Sequence, residues 1–119
     1  MQQFPLFQID AFTDKPFSGN PAAVVLLKEN AADSWMLKVA QEMNLSETAF
    51  VYPKGDFFSL RWYTPLTEVE LCGHATLSAA HVLWETGSVP VDETIRFSTL
   101  SGLLGARKVD DLIELDFPS

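Results

Sequence analysis

Two short segments contain the residues whose types and spacing best suit chemistry. Residues 70–76, Glu-Leu-Cys-Gly-His-Ala-Thr, place a thiol and an imidazole on either side of a glycine, where an apolar strand-like run turns into a helix. The start of a helix favours anions, because it has unpaired backbone N–H groups and a partial positive charge. Residues 46–50, Ser-Glu-Thr-Ala-Phe, add a carboxylate to a segment typical of a strand. If the two segments meet in space, they form half of a proton-transfer site.

His74 is the strongest candidate in the first segment. A histidine in the first helical turn, next to Gly73, is well placed to bind an anion or to move a proton. Cys72 at the same helix start could ionise and take up protons, but a lone cysteine after apolar residues is more often a small buried side chain. We interpret His81, which lies further along the same helix, as structural.

Glu47 is the candidate in the second segment. It lies beside Ser46 and just before an apolar stretch, where a carboxyl group suits a general acid or base. A solvent-facing strand residue would have the same pattern, and the sequence favours neither interpretation. Asn20, in a Gly-Asn-Pro motif, could present its amide to a ligand, although a plain turn is the commoner use of such a motif.

Composition restricts the classes of partner. The chain has 16 acidic and 8 basic residues and a net charge of −8, which argues against nucleic acid and an anionic membrane surface. Its one cysteine cannot form an internal disulfide, no apolar run approaches the ~20 residues of a membrane span, and the amino terminus does not resemble a signal peptide. We therefore expect a cytoplasmic protein with one domain over residues 1–119.

The sequence predicts no metal site and no nucleotide site. Two histidines and one cysteine lack the number and spacing of metal ligands. The chain also contains no phosphate-binding loop, dinucleotide fingerprint or Gly-x-Ser-x-Gly motif.

Hydrophobic periodicity predicts an α+β fold. One helix should run from a cap at Asp33 or Ser34 to about Asn44. A second, at about 74–86, is apolar around its whole circumference, which is typical of a helix buried on all sides. Seven strands complete the prediction: 4–12, 22–27, 47–52, 57–63, 94–99, 103–109 and 112–117. A curved, mostly antiparallel sheet or barrel wrapped around the second helix satisfies these patterns best.

Several stretches together resemble the amino-terminal half of the PhzF-like family of phenazine biosynthesis, which is related to diaminopimelate epimerase and proline racemase. The resemblance covers essentially the whole chain, and its matching stretches follow the family's order and spacing: 9–14, 16–24, 45–50, 61–65, 68–76 and 115–118. The resemblance implies a single lobe of the diaminopimelate epimerase-like fold, with a barrel-like sheet around a central helix. Family members have two such lobes, an active site in the cleft between them, and no metal or organic cofactor.

The resemblance also implies roles for individual residues. Glu47 matches the glutamate that moves a proton during isomerisation, Gly73 and His74 match the substrate-binding loop, and Ser46 matches a neighbouring contact. The epimerase and racemase branches use a cysteine pair in Cys-Gly-Asn-Gly-like surroundings, whereas Cys-Gly-His-Ala stands at Cys72. This difference indicates a glutamate-dependent isomerase and leaves the role of the thiol open.

Three hypotheses about function follow, because the second lobe has no counterpart within these 119 residues. Two copies could form a homodimer through the cleft face and isomerise a small anionic substrate, with Glu47 moving the proton. The chain could instead be a non-catalytic module that binds a small anion or a partner. It could also be an inactive fragment of a longer two-lobed enzyme.

Overall fold

The computed structural model describes residues 6–10, 21–45, 47–70, 73–110 and 112–116. These residues form eight strands and two helices. In chain order they are β1 (Leu6–Asp10), β2 (Pro21–Leu26), α1 (Asp33–Met43), β3 (Glu47–Lys54), β4 (Phe57–Tyr63), β5 (Glu68–Val69), α2 (Gly73–Glu85), β6 (Ile95–Thr99), β7 (Gly102–Val109) and β8 (Leu112–Asp116).

All eight strands belong to one sheet with the order β1-β2-β3-β4-β6-β7-β8, and β5 pairs with β4. Two pairings are parallel, β2 with β3 and β4 with β6, and the others are antiparallel. A mostly antiparallel α+β fold is therefore confirmed. β3 and β4 form a hairpin whose turn contains Gly55 at a φ of 64°, a left-handed conformation that glycine adopts without steric cost.

The sheet curls around α2. Side chains of this helix pack in one core with side chains from strands as far apart as β2 and β7, which a flat sheet could not bring to a single helix. Buried positions occur around most of the circumference of α2: Ala75, Thr76, Ser78, Ala79, Ala80, Val82, Leu83 and Trp84. The predicted burial of this helix is confirmed, and its many small side chains let the surrounding strands come close.

The opposite face of the sheet packs against α1. Phe50 and Tyr63 meet Met36 and Ala40 of this helix in a second, smaller core. In β3, Ala49 and Val51 face α2 while Phe50 faces α1, because successive side chains of a strand point to opposite sides. The middle of the sheet is thus covered on both faces, which explains why its strands are apolar at consecutive positions.

Some predicted boundaries were wrong. Residue 32, an alanine, is the amino-terminal cap of α1, and its side chain has no oxygen that could make a capping bond. Asp33 lies in the first turn instead, and its carboxylate binds Arg61. β3 continues through Pro53 to Lys54. Proline has no backbone N–H group to donate, but Pro53 is exposed at the strand end, so no buried carbonyl oxygen loses its donor. The two-residue strand β5 was not predicted. No helix in the described ranges is long and apolar enough to cross a membrane.

Candidate active site at one end of the sheet

The pairing register brings four strand ends together. Ala22 pairs with Glu47, Thr48 pairs with Tyr63, and Tyr63 pairs with Glu68. The starts of β2, β3 and β5 and the end of β4 therefore lie side by side. We call this edge, defined by these five residues, the Glu47 end of the sheet.

The strand that precedes α2 starts at the same end. Val69 is level with Ala49 in the sheet, because both pair with Trp62, and two strand spacings separate them by roughly 10 Å. Gly73, where α2 begins, is four residues beyond Val69 and so within ~14 Å of it. The helix then packs against β2 and β3. The fold thus places Glu68 and Val69, which directly precede the first segment singled out in the sequence, at the same end of the sheet as Glu47.

Glu47 is half-buried on the side of the sheet that faces α2. It lies on the same face as Ala49 and Val51, which pack in the core with that helix. Its Oε2 atom is buried and accepts no hydrogen bond from any described residue. A buried polar atom without a partner is unusual in folded proteins and calls for an explanation. Here the buried carboxylate oxygen has no donor among the described residues.

Two more buried polar atoms without partners among the described residues belong to residues close to Glu47 in the sheet, one on each face. They are Oγ1 of Thr48 and Nε1 of Trp62. Trp62 pairs with Ala49, so its side chain is on the same face as Glu47 at a diagonal position, where long and aromatic side chains come within reach of each other. Unsatisfied polar atoms of the described part of the chain are therefore concentrated at the Glu47 end. No sequence pattern marked Thr48 or Trp62, because both read as ordinary strand residues.

The remaining predicted site residues are only partly covered. Gly73 and His74 form the first residues of α2, but the His74 side chain lies outside the described part. Ser46, Cys72 and Asn20 also fall outside it. Their roles stay predictions.

A network around Arg61 lies on the opposite, α1-facing side of the Glu47 end. Nε of Arg61 donates to Oε2 of Glu68 at 2.7 Å, and Nη2 donates to Oε1 at 2.7 Å. Nη1 donates to Oδ1 of Asp33 at 2.8 Å, and Nη2 also donates to the Tyr63 hydroxyl at 3.2 Å. Sequence reasoning missed this network, because its members come from α1, β4 and β5.

The network perturbs the ionisation of its members. The hydrogen bond to Glu68 raises the pKa of Arg61 above its usual range, and the hydrogen bond from Arg61 lowers the pKa of Asp33. Burial raises the pKa of Tyr63 to about 12. Arg61 is thus fully charged at neutral pH, while the Tyr63 phenol is neutral.

Within the described ranges, no group of three or more His, Cys, Asp or Glu side chains could hold a metal ion. The ion pairs found there are Arg61 with Asp33, Arg61 with Glu68, and Arg107 with Glu114. Glu47 takes part in none of them. Its carboxylate is therefore not neutralised by a described cation.

Comparison with known proteins identifies the family. The family described as phenazine biosynthesis-like protein, PhzC-PhzF, matches residues 9–118. The chain belongs to this family. An uncharacterized isomerase of Halalkalibacterium halodurans is 56% identical over 119 residues, which is 100% of this chain and 45% of that protein. The PhzF resemblance in the sequence is confirmed.

Solved structures agree with the fold. A phenazine biosynthesis protein of the PhzF family from Enterococcus faecalis matches with a TM-score of 0.85 and 44% identity, over 92% of this chain and 42% of that one. A hydroxyproline epimerase from Agrobacterium vitis, only 13% identical, matches with a TM-score of 0.66 over 94% of this chain and 40% of that one, which shows a shared fold. This PhzF-family chain thus has the predicted epimerase-like fold, and it spans less than half the length of these relatives.

Proposed function

We propose that this chain forms one wall of the active site of an isomerase, which moves a proton on a small carboxylate substrate without a metal or organic cofactor. The observation that carries the proposal is the buried Oε2 atom of Glu47, which has no partner among the described residues. The name of the Halalkalibacterium halodurans relative, an isomerase, supports this class of reaction.

The proposed reaction uses Glu47 as both base and acid. The carboxylate takes a proton from the carbon next to the substrate's acid group, and the C–H electron pair moves into the adjacent π system. The resulting carboxylic acid returns the proton to a conjugated carbon of the same substrate. Atoms and electrons balance without an oxidant or reductant. General acid–base catalysis of this kind contributes roughly 10²- to 10⁴-fold to a rate.

The start of α2 would hold the substrate anion. Backbone N–H groups of the first helical turn have no intrahelical acceptor, and the helix dipole adds a partial positive charge there. Gly73 allows close approach of the anion, and the His74 imidazole stabilises the charge that develops in the transition state. Ser46, Cys72 and Asn20 are proposed as further substrate contacts. This local binding site would overcome the repulsion expected from a net charge of −8.

A second wall completes the cleft in this proposal, supplied by a second lobe or by the same face of a second copy. The chain covers 45% of its Halalkalibacterium halodurans relative, so a partner of similar size is expected on that comparison. Large apolar side chains are exposed near the Glu47 end, at Leu66 in the turn after β4 (86% exposed) and Leu100 in the turn after β6 (62% exposed). Their burial would favour association. We propose a cytoplasmic homodimer, with neither nucleic acid nor membrane as partner.

The test combines solution mass with isotope exchange. The chain is incubated in D₂O with a panel of small carboxylic acids, and deuterium incorporation at carbon is followed by NMR. We expect Glu47→Gln to lose at least ~100-fold of the incorporation rate. Glu42→Gln, an exposed glutamate of α1, is the matched control and should keep the rate. Incorporation that survives Glu47→Gln, or a stable dimer that labels no acid in the panel, would overturn the proposal. A monomer that neither binds nor labels any acid would favour the fragment hypothesis.

A further inference from the structure

The segment that leads into α2 is short and weakly held by its own backbone. β5 consists of Glu68 and Val69 alone and pairs with the last two residues of β4. Three residues, 70–72, separate it from Gly73 at the start of α2. A two-residue ladder resists displacement poorly, so side chains must fix this segment if the start of α2 is to keep its place.

The first side-chain anchor is Arg61. Its guanidinium binds the Glu68 carboxylate through two parallel hydrogen bonds of 2.7 Å each. This arrangement fixes the orientation of the two groups as well as the distance between them. The two side chains are only 17% and 20% exposed. Asp33 and the Tyr63 hydroxyl accept from the same guanidinium, and Arg61 therefore keeps one conformation.

The second anchor is Ser101. Its Oγ atom donates to the carbonyl oxygen of Glu70 at 2.6 Å, from the turn between β6 and β7. That turn is itself ordered by Thr99, whose Oγ1 donates to the Gly102 carbonyl at 2.7 Å and accepts from the Ser101 amide at 3.1 Å. The segment before α2 is thus held from β4 at Glu68 and from the β6–β7 turn at Glu70.

We propose that Arg61 and Ser101 are positioning residues for the first turn of α2. Ala75 of the first turn is buried in the same core, but the far end of the helix places the larger side chains of Leu83 and Trp84 there, and Nε1 of Trp84 also donates to the Glu93 carbonyl at 3.2 Å. Loss of an anchor should therefore displace the start of the helix and leave its end in place.

The catalytic consequence rests on the proposed function. An anion site made of backbone N–H groups acts only when these groups are correctly placed relative to the base, and a displacement of about 1 Å can cost roughly 100-fold in rate. Because Glu47 belongs to β3 and the anion site belongs to α2, the two anchors would set the distance between them.

The structural test uses the two histidines of the chain as reporters. Arg61→Lys keeps the charge and loses the two-pronged geometry, and Ser101→Ala removes one hydroxyl. We expect either change to shift the imidazole NMR resonances of His74 and to leave those of His81, two turns along the same helix, unchanged. Arg107→Lys is the matched control, since Arg107 pairs with Glu114 across β7 and β8 at the surface. It should move neither histidine.

Hydrogen exchange gives a second, independent readout. The amide of Leu77 lies in the first hydrogen-bonded turn of α2, and that of Leu83 lies near its end. We expect both anchor variants to speed the exchange of Leu77 roughly tenfold relative to Leu83, because local opening precedes global unfolding. Equal acceleration of the two amides, or equal shifts of the two histidines, would mean general destabilisation and would overturn the inference. Ser101→Ala keeps the test available if Arg61→Lys fails to fold.

Failure of this inference can be told from failure of the proposed function. If deuterium incorporation requires Glu47 but neither anchor variant moves His74, only the positioning inference fails. If incorporation does not depend on Glu47 while His74 shifts selectively, the anchors stand and the proposed function fails.

Discussion

Replacement of Glu47 by methionine should stabilise the protein while it abolishes the proposed activity. The buried Oε2 atom has no described hydrogen-bond donor, and an unsatisfied buried polar atom costs about 1–3 kcal/mol. Glu47 is only half-buried and only one of its oxygens is affected, so we take the low end of this range of costs. Methionine has a similar length and flexibility and no strong polar atom. We expect a gain of about 1 kcal/mol in the free energy of unfolding.

The assay is urea unfolding with Glu42→Met as control. In thermal unfolding of a chain of this size, the same gain of about 1 kcal/mol would raise the melting temperature by roughly 4 °C. The urea midpoint should rise without a change in the m-value, because the area exposed on unfolding is unchanged. Glu42 is exposed on α1, so its replacement should stay within about 0.5 kcal/mol of the wild type.

A loss of stability in Glu47→Met would refute this reasoning. It would show that the carboxylate has a stabilising partner in the folded protein, and the strongest support for a functional role of this atom would disappear. A gain would mean that the wild-type glutamate makes the protein less stable than methionine does at this position, which is common at functional sites.

Two further predictions concern burial elsewhere. Tyr63 has its pKa raised from 10.0 to about 12, so the unfolded chain ionises first. The free energy of unfolding should therefore be unaffected by this ionisation below pH ~10, and it should fall as the pH rises toward about 12. Urea midpoints measured between roughly pH 9 and 12 should show this decline. Tyr63→Phe should reduce the decline, and an equal decline in the variant would contradict the prediction. Leu83→Ala, at a buried position of α2, should cost about 2–5 kcal/mol. Val91→Ala, at an exposed position between α2 and β6, should cost less than about 0.5 kcal/mol, and similar losses in the two variants would contradict the burial of α2.

Local patterns were sufficient where one element dictates its own environment. The second helix was predicted at about 74–86 and is observed at Gly73–Glu85, because its apolar circumference demands burial whatever surrounds it. The alternation and turn residues of 57–63 predicted β4 with the observed bounds. The family resemblance added the epimerase-like fold, which the comparisons confirm.

Local patterns failed where a distant residue decides. The cap predicted at Asp33 is replaced by an ion pair with Arg61, 28 residues away. No short window of sequence contains both Asp33 and Arg61. β5 was missed for another reason: it lies only five to seven residues from its partners in β4, but two residues are too few to show a strand pattern.

The sequence by itself determined the types of element, the buried second helix and the residues capable of chemistry, since these depend on side-chain chemistry and spacing along the chain. It left Glu47 undecided between a solvent-facing residue and a functional one. The tertiary structure placed Glu47 on the α2 side of the sheet, buried its Oε2 atom without a partner among the described residues, and brought β5, which precedes α2, to the same end. Burial and hydrogen-bond partnership are properties of contacts between distant segments, and only the folded chain creates those contacts.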